Sequence, residues 1–265
     1  MTLAELVGAE VRDADSMCFT IERDLHGAFG GAFGGVVAAC ALLSARRAAP
    51  GRMPAGLDVR FLRALPAGPV VATAAVLHAG RSMTVVDVDL VGADGRRAAR
   101  ATASLAQRDA LHPLDHAAPD VIALPATYDD APPWPSMPGR EIPILTTLAP
   151  RILGRVGGGI ASALLVPWEP DEESGAEACC FAADLCVGPP VAAACTEGWV
   201  PHPNPDVALR FATGETVTRE VVGIGRVGRI TGGIATVHVE VVSDGLSCAV
   251  GAATSLLLAL EGTAR

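Results

Sequence analysis

The chain contains no lysine: all 20 of its basic residues are arginine, set against 29 acidic residues for a net charge of −9. A Walker-type phosphate loop requires a lysine, so that class of nucleotide site is excluded. The acidic balance argues against a polyanion-binding surface such as one for nucleic acid. It leaves room for a local arginine pocket facing a small phosphate ligand. With so much alanine, glycine and proline, arginine in place of lysine reads as the codon bias of a GC-rich genome rather than as function. Long apolar runs are lacking as well. None reaches the roughly 18–20 residues of a membrane span, and Leu246–Leu260, interrupted by Ser, Gly and Thr, reads as a strand. The N-terminus carries acids and no basic segment, so it does not read as a signal peptide. The seven cysteines, two of them adjacent at Cys179 and Cys180, show neither a disulfide framework nor a CxxC spacing. They read as small apolar core residues in a reducing, cytoplasmic setting. No GxSxG elbow occurs. His112 and His116 have a ligand-like spacing but sit in a proline-rich stretch without an HExxH glutamate, so no metal and no cofactor is expected.

What is present is a repeat. Arg60-Phe61 and Asp94-Gly95 recur as Arg210-Phe211 and Asp244-Gly245; residues 60 and 210, and residues 94 and 244, both differ by 150. Val86–Val91 before the first Asp-Gly resembles Val237–Val242 before the second, and Ser104-Leu105 resembles Ser255-Leu256. A period this long is a domain-sized unit, far above solenoid periods of roughly 20–50 residues. The 265 residues therefore read as one small fold built twice. The expected division is a first unit over 1–111, a proline-rich linker over 112–140 and a second unit over 141–265. The two copies together form an internal pseudo-dimer. Whether that double unit assembles further into a homo-oligomer is left open.

Each unit has the same predicted order: a strand, an apolar helix, then four antiparallel strands. In the first unit the strand is Met17–Glu22 and the helix Val36–Ala48, with Arg46-Arg47 in its last turn. Strands follow near Leu57–Arg63, Val70–His78, Ser82–Val91 and Arg97–Gln107, with Asp94-Gly95 as a hairpin signal. In the second unit the strand is Ile160–Val166 and the helix Ala176–Val187, stopped by Gly188-Pro189-Pro190. Strands follow over Val207–Ala212, Thr216–Gly223, Ile234–Val242 and Ser247–Leu258. A sheet wrapped around one buried helix requires that helix to be apolar on nearly every side. Both helices satisfy this, so the layout is α+β and similar to a tandem hot-dog fold.

Particular residues carry a closer resemblance. Phe33-Gly34-Gly35-Val36-Val37, Arg60-Phe61-Leu62-Arg63 and Gly80-Arg81-Ser82-Met83-Thr84 resemble first-domain segments of the acyl-CoA thioesterase II family. Ala183-Asp184-Leu185 with Pro190-Val191-Ala192 resembles the segment bearing that family's catalytic aspartate. The resemblance implies a double hot-dog enzyme that hydrolyses acyl-CoA, with a carboxylate activating water and no covalent nucleophile. Asp184 matches the aspartate. Read from the residues alone, it is a single acid among Cys180, Phe181, Ala183, Leu185 and Val187, either desolvated with a raised pKa or on the one wet face of its helix. Counting back from Phe211 puts the family's threonine at Asn204, which is either a carboxylate partner or a turn former. Counting on from Gly245 puts the family's glutamine at Ala253, a departure that leaves Thr254 as a substitute only if the strand slips by one residue and reverses its face.

Other residues have two readings each. The amides of Gly34 and Gly35, at the end of the His26–Gly35 glycine run, either hold an oxyanion or phosphate at a helix N-terminus or mark close backbone packing. Arg63 and Arg81 either meet the CoA phosphates or are solvated. Gly223–Gly228 fits GxGxxG literally but leads into a strand, so it is not read as a dinucleotide site. A thioesterase is the expected function. The alternatives are a non-catalytic acyl-thioester-binding protein and a hot-dog hydratase or dehydratase, which requires an Asp–His or Glu–His pair. Aligned on the helices, Asp184 falls opposite Ser44. Aligned on Val37–Ala39 against Val191–Ala193, it falls opposite Gly30. Only the second copy carries the acid, so a single site between the units is expected.

Overall fold

A computed structural model describes residues 1–112, 121–135, 141–171, 174–195, 198, 200–212 and 217–259. In the first unit a short helix α1 (Leu3–Leu6) and strands β1 (Glu10–Val11) and β2 (Ser16–Ile21) precede the long helix α2 (Gly34–Ala48). Strands β3 (Met53–Phe61), β4 (Gly68–Ala79), β5 (Met83–Gly92) and β6 (Arg97–Ala106) follow. The second unit opens with helix α3 (Pro143–Leu148) and strands β7 (Arg151–Val156) and β8 (Gly159–Leu165). Helices α4 (Gly175–Leu185) and α5 (Gly188–Ala194) come next, and strands β9 (Asp206–Phe211), β10 (Glu220–Thr231), β11 (Ile234–Ser243) and β12 (Leu246–Leu256) close the chain. All twelve strands join one sheet in the order β1-β2-β4-β5-β6-β3-β9-β12-β11-β10-β8-β7. Read outward from the centre, the two halves have the same order. Each half curls around its own helix, which is the tandem hot-dog.

The offset of 150 now has a geometric meaning. At the β3–β9 seam Asp58 stands opposite Ala208, Leu57 opposite Leu209 and Gly56 opposite Arg210. Asp58 and Ala208 are themselves 150 apart, so the pseudo-twofold axis passes between them. The repeated arginines staple this seam: Arg60 pairs with Asp206 at 2.8 Å and Arg210 with Asp58 at 3.0 Å. These pairs are largely exposed, so they fix register more than they add stability. Both Asp-Gly repeats form hairpin turns. Asp244 and Gly245 both take left-handed φ, at 51° and 78°, as a two-residue turn of that kind requires.

The predicted strands of the first unit match β2 to β6 within a few residues. Three predictions are corrected. Gly188-Pro189-Pro190 ends α4 but also starts α5, because prolines in a first turn give up no intrahelical hydrogen bond. The predicted strand over Thr216–Gly223 is β10, which runs on to Thr231, while residues 213–216 lie outside the described set. The continuous stretch Gly175–Ala194 is long and apolar enough to cross a membrane, and 78% of its most apolar window is buried inside the protein. Helix α4 is buried throughout, while α5 buries Pro190 and Val191.

The sequence signals for α3 and β7 were missed, and the proline-rich segment is more than a spacer. Residues 121–135 lie along the second unit: the Ile122 amide bonds the Gly245 carbonyl, and the Trp134 amide bonds the Pro150 carbonyl. Ala131 joins Leu153, Ala161, Val222 and Ile224 in a small second core. Pro113, Pro119, Pro138 and His116 fall outside the described residues. The literal GxGxxG lies in β10 and serves packing: a Cβ on Gly223 would stand 2.3 Å from the Ala182 carbonyl oxygen, and one on Gly225 2.0 Å from that of Cys186. Helix α4 sits so close to β10 that only glycine fits beneath it.

Candidate active site

Helices α2 and α4 run antiparallel and touch, so each helix start meets the other's end. At one junction the start of α2 meets Asp184 near the end of α4. Asp184 is buried, at 8% exposure. Its Oδ2 accepts from the Gly35 amide at 3.0 Å, and its Oδ1 accepts from Nδ2 of Asn204 at 2.5 Å. Two glycines make this approach feasible. A Cβ on Gly34 would lie 2.7 Å from Asp184 Oδ1, and one on Gly35 would lie 2.7 Å from Cα of Phe181. Burial raises the Asp184 carboxyl above its ordinary range, while Asn204 and the amides of Gly35 and Gly34 pull it back, and burial wins. The wet-face reading of Asp184 is thus set aside for the desolvated one.

Asn204 reaches Asp184 because of its neighbours. In Pro201-His202-Pro203-Asn204-Pro205, every polar residue precedes a proline and is held extended. The segment continues β9 backwards beside β12: the Leu258 amide bonds Pro201 O and the Leu256 amide bonds Pro203 O. The Phe61 amide bonds Pro205 O and ties the segment to the first unit. His202, Pro203, Asn204 and Pro205 all line the cavity, and His202 and Asn204 are the two that bring polar side chains. Sequence reasoning found Asn204 and missed His202, for which its place two residues before Asn204 in the same proline-rich segment was the available signal.

A cavity of about 1060 Å³ opens above Asp184 between the two units. Its walls are mostly apolar, including Phe33, Phe61, Leu65, Trp134, Ile144 and Leu185. Arg63, Asp184, His202 and Asn204 are the charged, imidazole and amide side chains that line it. An apolar cavity with a few convergent polar groups and a perturbed carboxylate is what a small-molecule site looks like.

The remaining predicted residues divide. Gly34 lines the cavity and Gly35 donates to Asp184, so their amides face a carboxylate of the protein itself instead of waiting for a ligand oxyanion. Arg63 is exposed and lines the cavity. Arg81 is not brought to the site. It sits in the turn after β4, and that strand of 12 residues begins near the Arg63 end, which separates the two by about 35 Å of strand. Thr254 is not brought there either. Ala253 and Ser255 are buried, whereas Thr254 lies with Ala252 and exposed Val250 on the other face. The strand keeps its register against β9, pairing Ala253 with Val207 and Thr254 with Asp206, so the one-residue slip does not occur.

At the opposite junction the start of α4 meets the end of α2, and the pairings differ. Ser44, opposite Asp184 in the helix alignment, is buried and donates to the Cys40 carbonyl. Arg46 there pairs with fully buried Glu177 at 2.8 Å. Among the described residues no cluster of His, Cys, Asp and Glu has a metal-binding arrangement.

Residues 23–106 match the family model of the acyl-CoA thioesterase N-terminal domain. Solved structures resemble nearly the whole chain. The acyl-CoA thioesterase II TesB2 of Mycobacterium marinum superposes with a TM-score of 0.76 at 19% identity, covering 98% of this chain and 100% of its own. The tesB protein of Mycobacterium avium subsp. paratuberculosis gives 0.76 at 15% identity, with 97% and 98% covered. A protein of unknown function with a hot-dog fold from Alicyclobacillus acidocaldarius gives 0.75 at 20%, with 97% and 98% covered. No curated protein matches the chain. The resemblance read from Phe33–Val37 and Arg60–Arg63 is borne out by the domain match, and the double hot-dog by the superpositions.

Proposed function

We propose that this chain, whose residues 23–106 match the family model of the acyl-CoA thioesterase N-terminal domain, hydrolyses acyl-CoA thioesters with Asp184 as general base. The observation that carries the reading is one buried carboxylate at the floor of an apolar cavity, held by a backbone amide from one unit and by Asn204 from the other. The thioester enters the cavity, and a water molecule next to Asp184 loses its proton to the carboxylate as its oxygen attacks the carbonyl carbon. The second N–H of Asn204 is available to the developing oxyanion. Collapse of the tetrahedral intermediate breaks the C–S bond, and the proton on Asp184 goes to the departing thiolate. The raised pKa suits this cycle, because a base that must return its proton works best when its pKa lies near the operating pH. In this reading the exposed Arg63 of the cavity lining meets a phosphate of CoA.

The test is release of free thiol from a panel of acyl-CoAs by the native protein and by Asp184→Asn. The expected loss is at least about tenfold, on the scale of general-base effects. Equal rates overturn the mechanism. Tight acyl-CoA binding without release favours the non-catalytic reading. Hydration of 2-enoyl thioesters keeps one supporting observation, His202 in the same cavity as Asp184. Loss of the conjugated enoyl absorption without thiol release would establish that activity instead.

A further inference from the structure

His202 lines the cavity, yet the hydrolytic cycle does not use it. The ring is fixed. Its Nδ1 lies 2.6 Å from the Val200 carbonyl oxygen, and a carbonyl can only accept, so Nδ1 carries the proton and Nε2 of the neutral ring presents a lone pair. Its backbone is fixed as well: Ser255 Oγ donates to the His202 carbonyl at 2.9 Å. On the Nε2 side stands Gly188, where even an added Cβ would remain 3.7 Å away. The cavity walls are mostly apolar, and Asn204 and Asp184 are already bonded to each other.

We propose that Nε2 of His202 accepts a hydrogen bond from an N–H or O–H group that the bound thioester carries close to its scissile bond, and that this contact determines which thioesters are held productively. The inference rests on the thioesterase reading. A polar hydrogen entering an apolar cavity loses its water, and it recovers that loss only where an acceptor waits. Every CoA thioester brings such a donor, the amide N–H two methylenes from its sulfur. An acyl group hydroxylated at C3 brings another on the opposite side of the carbonyl. The shared chemistry is one donor near the thioester, and the two sources can be separated.

The experiment uses the full chain, His202→Leu to remove the acceptor and His202→Gln to restore one. Rates are measured on two matched pairs. One pair is the same acyl group on N-acetylcysteamine and on 1-pentanethiol, which lacks the amide. The other is a plain and a 3-hydroxy acyl group on CoA. The native protein is expected to prefer the donor-bearing member of one pair by about tenfold, the scale of a buried polar group left unpartnered. Leu should abolish that preference, mainly through KM, and Gln should keep most of it. A preference in the first pair identifies the amide as the source, and one in the second pair identifies the hydroxyl. The proposal is overturned if the native protein shows no preference, if Leu retains it, or if Leu slows all four substrates alike. Binding of S-alkyl-CoA thioethers with and without the hydroxyl, and of S-alkyl N-acetylcysteamine against dialkyl thioethers, reads the same contact without hydrolysis. Failure of the thioesterase reading is therefore distinguishable from failure of this one.

Discussion

Gly34 of α2 stands where any side chain would strike Asp184 of α4: its Cβ would fall 2.7 Å from one carboxylate oxygen and 2.8 Å from the other. Gly35, one residue on, faces backbone instead, with Phe181 Cα at 2.7 Å and the Cys180 carbonyl oxygen at 2.9 Å. The two neighbours therefore predict different failures. Gly34→Ala pushes the carboxylate out of its hydrogen bonds and is expected to lower kcat/KM at least about tenfold, since a misplaced base loses its share of the catalysis. Gly35→Ala forces two packed helices apart and should cost about 1–3 kcal/mol of stability, as overpacking does. Thermal melting and thiol release measured on both variants check this. A larger melting loss in Gly34→Ala than in Gly35→Ala contradicts it.

On the proposed mechanism, Asn204 is expected to set where the activity falls off in acid. Its amide donates to Asp184 and stabilises the ionised form against the larger effect of burial. The proposed base, Asp184, can take a proton only when deprotonated, so kcat/KM should decline as pH falls through its pKa, at a pH above the ordinary carboxylate range. Asn204→Leu removes a stabilising donor, which raises that pKa further and moves the acid limb to higher pH. Asn204→Ser, which keeps a donor, should move it less. An acid limb that stays in place in Asn204→Leu shows that Asn204 does not govern the base.

Thr254 tests register as a physical determinant. The glutamine position that the resemblance implies falls on Ala253, whose buried side chain offers no hydrogen-bonding group, while Thr254 has its hydroxyl on the outer face. Only the Thr254 backbone amide has a described role, donating to Asp206 at 2.8 Å. Thr254→Val preserves that amide, so thiol release should stay within about twofold of native, as for surface changes that remove no partner. A tenfold loss would place the hydroxyl in the chemistry despite its face.

The fold was legible because its determinants are local and repeated. Alternation marks the strands, Asp244-Gly245 marks its hairpin, and the unbroken Val36–Leu42 run marks a helix covered on all sides. The helix pair had a sequence trace in Gly34 and Gly35, whose lack of side chains is what permits contact. The site was only half legible. Asp184 stood out as a lone acid in an apolar helix, but what surrounds it comes from distant segments: Asn204 and His202 from a proline-locked strand, Trp134 from the linker. Counting from Phe211 located Asn204 because strand spacing is rigid. The resemblance could not place Arg81, because its segment and that of Arg63 are separate and the long strand β4 between them carries Arg81 away.

The far junction of the helices carries an ion pair in place of a cavity carboxylate, and that pair can be tested. Burial raises the Glu177 carboxyl above its ordinary range, and Arg46 offsets this only in part. Arg46→Ala leaves a buried carboxylate without its cation, which costs about 3–5 kcal/mol where the acid is ionised. The sign with pH follows from the raised pKa. The folded state binds this proton more tightly than the unfolded chain does, so the penalty is present above the folded pKa and vanishes as pH falls through it. The stability deficit of Arg46→Ala relative to native should therefore be greatest near neutral pH and shrink in acid. Glu177→Gln, which removes the charge, should largely cancel the effect of Arg46→Ala in the double variant. Thiol release at low temperature should persist in both single variants, because Asp184 lies two helical turns from Glu177. Denaturant melts of the four proteins at two pH values measure the coupling, and a deficit that grows in acid would contradict the assignment.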